Sequence, residues 1–187
     1  IVDVSDKANL QKVYQYDMGT NPDGLSQTYN TASTDRSGTK ILLVANNANT
    51  VVYTVTGTAS APVLTRRSNT MTWANDVKIL GNYAYITASW NLEVWNLTTL
   101  TAPVKTDFLQ PDTSEPVQAL DVVSGRAYAT IRNTGFSIVD VSDPANISLV
   151  RTYTTAGEAR GITVAEGYAY VADGVDYGVA IYGVASP

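Results

Sequence analysis

Hydrophobic and polar positions along this chain alternate with a period of two, over runs of only four to seven residues, each closed by turn-forming residues. Such alternation marks half-buried β-strands, because successive side chains of a strand point to opposite faces. The clearest stretch runs from about Ser114 to Gly157. Val117–Val123 alternates imperfectly and Ser124-Gly125 turns the chain. Arg126–Ile131 alternates small and large residues, and Asn133–Gly135 turns it again. Phe136–Val141 follows, then the breaker cluster Ser142–Asn146, then Ser148–Tyr153. The pattern predicts four short strands, a to d, joined by turns rich in Gly, Asn, Asp and Pro, the residues hairpins require.

The same four-strand word recurs. Strand a returns at Asp76–Leu80 and Gly161–Ala165, and strand b at Tyr83–Thr87, Tyr168–Ala172 and, more loosely, Lys40–Val44. Glycines at 38, 81, 125 and 167 stand at or near the start of each strand b, where a tight hairpin needs positive φ. Strand c carries the strongest signal. Ile1-Val-Asp-Val-Ser-Asp6 reappears as Ile138-Val-Asp-Val-Ser-Asp143, with weaker copies beginning at Val52, Val94 and Ile181. From Val52 onward the steps are 42, 44 and 43 residues. A fixed period in this range means stacked or radially arranged supersecondary units. The first step is 51 residues, and the polar run Asn30–Gly38 accounts for the excess as a longer surface hairpin between strands a and b. Loop-closure entropy grows only logarithmically, so such an insertion costs little.

Four strands of this length bury too little apolar surface to stand alone. Stacking them face to face buries the Val, Ile, Tyr and Ala rows between neighbours, and a ring of four-stranded units is a β-propeller. A β-sandwich also uses short strands and turns, but does not require one four-strand word to repeat. The expected fold is therefore all-β: a β-propeller of four-stranded antiparallel blades, about four of them present, as part of a larger ring. The expected boundaries are 1–19 for the end of a preceding blade, 20–70, 71–113 and 114–157 for full blades, and 158–187 for a last, incomplete one. Strands of type c stand at both Ile1–Ser5 and Val179–Val184, leaving one surplus in a four-bladed ring, which is why a larger ring is expected.

Composition narrows the chemistry. The chain has 187 residues, 44% hydrophobic and 16% charged, enough for a core and too apolar for disorder. Its net charge of −5, with no cationic run beyond Arg66-Arg67, is wrong for phosphate backbones or anionic membranes. It has no Cys and no His. Disulfides, thiolate metal sites, the usual general base and every His-dependent catalytic pair are therefore excluded. No apolar run approaches the ~18 residues of a membrane span.

The segments Gly167-Tyr-Ala-Tyr-Val-Ala-Asp-Gly174 and Phe136–Pro144, and less closely Gly81–Pro103, resemble the LVIVD repeat family of bacterial and archaeal surface or secreted proteins. Asp23–Pro62 matches it poorly. The resemblance implies a β-propeller that occurs beside anchoring or adhesive domains. It implies a scaffold, with no catalytic residues to carry over.

In a propeller the d-to-a and b-to-c loops share one rim, where ligands dock. Here that rim would hold Trp73, Trp90, Arg132, Glu158, Arg160, Asp173 and Asp176 as ligand-binding candidates. Exposed Trp stacks on sugar rings or anchors a protein partner, although Trp73, Trp90 and Trp95 would equally fill gaps between blades. Asp173-Gly-Val-Asp176 superficially resembles a calcium loop, but it lacks the acidic ladder and distal Glu of an EF-hand and reads as a hairpin turn. The repeated Asp3 and Asp140, followed by Ser5-Asp6 and Ser142-Asp143, read as turn caps because they recur with the repeat. Asn96 and Asn146 head N-glycosylation sequons at the end of strand c and in the c–d turn. No sialidase-type box, phosphate-binding Gly loop or metal-ligating His pair is present. The expectation is a non-enzymatic scaffold, exported or on the cell surface, binding a protein or glycan or assembling with itself, without cofactor or metal. The alternatives are a glycan-active enzyme using two rim acids about 5 to 10 Å apart, drawn from Asp112, Glu158, Asp173 and Asp176, and a structural subunit of a surface layer or filament.

Overall fold

The structure, a computed structural model, describes residues 2–3, 11–12, 28–46, 48–58 and 61–184. Among these there is no helix. A short pair, β1 (Val2–Asp3) and β2 (Gln11–Lys12), runs antiparallel. Blade I comprises β3 (Thr28–Arg36), β4 (Thr39–Asn46), β5 (Thr50–Thr58) and β6 (Ala61–Met71). Blade II comprises β7 (Asp76–Leu80), β8 (Tyr83–Ala88), β9 (Asn91–Asn96) and β10 (Val104–Leu109). Blade III comprises β11 (Val117–Val123), β12 (Arg126–Ile131), β13 (Gly135–Asp140) and β14 (Ser148–Thr154). Blade IV has three strands, β15 (Gly161–Ala165), β16 (Tyr168–Ala172) and β17 (Val179–Gly183). Every sheet is an antiparallel meander in chain order.

The repeated word sits at one structural address. Val52, Val94, Ile138 and Ile181 all fall on the third strand of their sheets. The a–b hairpins close through left-handed pairs, Ser37-Gly38, Ser124-Gly125 and Glu166-Gly167, each with both residues at positive φ. This backbone twist matches the right-handed twist of the flanking strands.

The length excess does not lie where the sequence pattern put it. Thr28–Arg36 is strand, paired residue for residue with β4 from Asn30 onward after one register shift, and its turn is only Ser37-Gly38. The polar run at 30–36 belongs to the blade because its side chains alternate between half-buried and exposed and satisfy a strand on the innermost row. The extra residues precede β3 and fall within 13–27, outside the described residues.

On strand b of blade III the large Tyr128 faces the following blade and the small Ala127 and Ala129 face the preceding one, and in blade II Tyr85 faces forward while Ala84 and Ile86 face back. Tyr85 with Leu92 and Val94 of blade II packs on Ala127, Ala129 and Val139 of blade III. Tyr128, Phe136 and Ile138 of blade III in turn pack with Ala169 and Val171 of blade IV. Ile41 and Leu43 of blade I meet Ala84 and Ile86 of blade II. Large-against-small layers fill space at the density interiors need. At the third interface Phe136 stacks on Tyr153 at 4.8 Å between centroids, and Tyr182 meets Phe136 edge-on at 5.2 Å. These blades, layered face to face with strand a of each against strand a of the next, form a β-propeller arrangement.

Among the described residues no sheet covers the same face of blade IV. Val179 and Ile181, the counterparts of the buried Phe136 and Ile138, are 64% and 61% exposed. Replacing Ile138 with Ser is accordingly expected to cost about 2–4 kcal/mol, whereas Ile181→Ser stays within about 0.5 kcal/mol. Urea denaturation of the two variants checks this, and equal losses would contradict the layer assignment.

Candidate functional site

Strand a is the innermost of each blade, and its outward edge has no partner strand. The unpaired N–H groups there need acceptors. Acid side chains of the preceding blade supply them. Asp76 Oδ2 accepts from Leu120 N at 2.8 Å, and Asp121 Oδ2 accepts from Val164 N at 2.8 Å. Asp76 Oδ1 also accepts from Val77 N at 2.7 Å and from the Asn30 side-chain amide of blade I. One carboxylate thus ties three blades together. Burial pushes its pKa above the usual carboxylate range, partly opposed by the backbone donors.

Around this carboxylate the starts of the four a strands enclose a polar cavity of about 320 Å³, lined by Asn30, Asn75, Asp76, Gln118, Ala119 and Arg160. Asn75 donates its amide to Val117 O at 2.9 Å. The Gln118 side chain makes no hydrogen bond among the described residues. The sequence pattern had singled out only Arg160 of this set. The positions of the others, though not their residue types, recur at the entrance to each strand a.

The rim candidates divide into two groups. Arg132 and Arg160 both grip Glu158, Arg132 through Nε to Oε1 and Arg160 through Nη2 to Oε2 at 2.7 Å. These two contacts hold the Glu158 carboxyl below its usual range, the Arg132 bond first. The network extends along blade III: Asn133 Nδ2 donates to Glu115 Oε1 at 2.8 Å, and Thr134 Oγ1 to Asp112 Oδ2 at 2.9 Å. The Ser114 backbone N–H and hydroxyl lower the pKa of Asp112. Asp173 is buried, its Oδ2 accepting from Gly157 N at 3.1 Å while Oδ1 has no partner among the described residues. Gly157 is required there, since a Cβ would collide with the Asp173 carbonyl. Asp176 lies exposed at the tip of the same loop and is not brought into the network. No group of three or more ligating side chains able to hold a metal occurs among the described residues.

The three tryptophans have separate fates. Trp95 is buried between blades I and II, its Nε1 donating to Glu93 Oε2 at 2.9 Å. Trp73 is half-buried in the blade I–II connection, and Trp90 stands exposed in the β8–β9 turn. That turn shares an end with the blade III entry loop, because Val117 N donates to Ser89 O at 2.8 Å. Asp140 is a turn cap: its Oδ1 accepts from Ser142 N at 3.0 Å and from Ser142 Oγ at 2.6 Å, and it pairs with Arg126. Asn96 likewise caps its own turn, accepting from Thr98 N at 2.7 Å, while Asn146 is exposed.

The LVIVD repeat pattern matches residues 73–92, 117–155 and 156–181, so blades II to IV carry LVIVD repeats. No curated protein is detectably similar in sequence. Among solved structures, the computationally designed Ika4 protein is similar with a TM-score of 0.60 and 13% identity, over 85% of this chain and 92% of that one. A protein from Lactobacillus plantarum gives 0.64 and 14%, over 81% and 50%. U3-55K gives 0.64 and 12%, over 86% and 49%. The chain thus spans about half the length of these last two, and at such identities the likeness concerns the fold alone.

Two outcomes test this geometry. Asp76→Ala leaves three N–H donors facing no acceptor and is expected to destabilise by about 2–4 kcal/mol in urea titration. Asp140 is held at a pKa of about 2, below its ordinary 3.8, chiefly by the Ser142 hydroxyl. Its folded form therefore favours the ionised group, so its contribution is intact above pH 3.8 and disappears as pH falls through about 2. Melting curves across this window should be flatter for Asp140→Asn than for the parent.

Proposed function

We propose that this LVIVD-repeat propeller chain is a non-enzymatic scaffold that docks a protein or glycan on the end formed by the d–a and b–c loops of blades II to IV. The observation that carries the reading is the Arg132–Glu158–Arg160 ion-pair chain, which joins the loops of blades III and IV at the mouth of the polar cavity. Exposed Trp90 stands on the same end. Guanidinium groups and an exposed aromatic on a rigid frame suit recognition of a polar surface, where Arg and Trp supply most binding energy. Two of the four rim acids support binding over bond cleavage. Asp112 and Glu158 are both engaged as acceptors with lowered pKa, the opposite of what a general acid needs at neutral pH.

The same reading places the chain outside the cytoplasm, on or released from the cell surface, where an exposed Asn146 could carry a glycan. It also allows homotypic assembly through the same end.

The test compares the parent with a Trp90→Ala, Arg132→Ala double variant. Both are applied to a glycan array and to proteins captured by cross-linking in the native source. The double variant should lose about tenfold or more in affinity for whatever the parent binds, as hot-spot truncations do. Binding that survives both changes would remove this end of the propeller as the docking surface.

A further inference from the structure

The cavity at the a-strand entrances holds more hydrogen-bonding capacity than the described residues use. Of its lining, Asn30 and Asp76 satisfy each other, and Asp76 additionally accepts from Val77 and Leu120. Asn75 spends its amide on Val117 O. What remains is mostly donating. Arg160 carries five guanidinium N–H bonds, and through one nitrogen, Nη2, it reaches Glu158. Gln118 has a whole amide unspent. Polar groups that line a concavity and lack protein partners call for an occupant, water or ligand. A volume of about 320 Å³ admits a group of monosaccharide or single-residue size.

We propose that this cavity binds a carboxylate, taken by the planar fork of Arg160 and the side-chain amide of Gln118. The planar guanidinium presents parallel N–H groups at the spacing of two carboxylate oxygens, and charge-assisted bonds of this kind are the stronger ones. Asp76 does not oppose the anion strongly, since its oxygens are already taken by three N–H donors. The carboxylate could belong to an acidic sugar or to the end of a polypeptide. The cavity recognises what these share, and the site is independent of whether a macromolecular partner docks on the surrounding rim.

The test uses four small probes on the full chain: D-glucuronate with D-glucose as its neutral counterpart, and N-acetyl-L-alanine with its amide. Titrations are followed through the side-chain NH₂ resonances of Gln118 and the guanidinium resonances of Arg160. Saturable shifts with glucuronate alone assign an acidic sugar, with N-acetyl-L-alanine alone a chain terminus, and with both a bare carboxylate; each supports the site. Arg160→Gln should weaken the acid by about tenfold or more, Gln118→Ala should weaken it less, and Arg126→Ala, which touches only the Asp140 turn, should leave it unchanged. Neutral probes binding as well as their acids, shifts that Arg160→Gln does not reduce, or no saturable shift at all would each overturn the proposal. The small probes are read at Gln118 and Arg160, so a rim that binds no macromolecule leaves this result readable, and the reverse holds too.

Discussion

Everything in this molecule depends on sheets being pressed together by their flat faces. A single meander of five-residue strands has two faces and neither is hidden. Blades II and III become stable only because each sets a large residue over a small one of its neighbour: Tyr85 against Ala127 and Ala129, Tyr128 against Ala169. This pairing fixes the spacing between sheets and the order in which they stack. Hydrogen bonds within each sheet give it shape, but they are satisfied locally and say nothing about which sheet comes next.

Stacking also dictates where polar chemistry can gather. It brings the innermost strands side by side, and their outward edges need acceptors. The protein meets that need with acids from the preceding blade, Asp76 for Leu120 and Asp121 for Val164. A polar inner row is the consequence, and the cavity is its opening. The loops above it inherit their positions from the same strands, which is why residues as distant in sequence as Arg132 and Glu158 meet. Buried Glu93, by contrast, shows the same chemistry fully consumed, by Thr72, Trp95 and Lys105.

Much of this was legible in the chain. The strand limits at Asp76–Leu80, Gly161–Ala165 and Tyr168–Ala172 follow from alternation and flanking turns alone, and the period locates the third strand of each blade. The polar run at 30–36 misled because an inner strand with one half-buried face looks like a loop when only hydrophobicity is weighed. Arg132, Glu158 and Arg160 were legible as rim residues, but their mutual contact was not, since it depends on the angle between two blades. Asp173 read as an ordinary turn residue, and nothing in its spacing revealed that one oxygen would be buried without a partner. Asn30 and Gln118 stayed invisible because no motif marks an amide at a strand entrance. Only superposing the repeats would have lined them up.

The bare side of blade IV gives the molecule a direction. Among the described residues blades II and III each share a layer with a sheet on both sides, but blade IV shares only the one with Phe136 and Tyr128. In a nearest-neighbour ladder the weakest rung is the one coupled once. Amide protons of β16 and β17 should then exchange through local opening well before those of β8 and β12, with protection rising blade by blade toward the interior. The loop that carries Asp173 and Asp176 is mounted on a blade coupled, among the described residues, to a single neighbour.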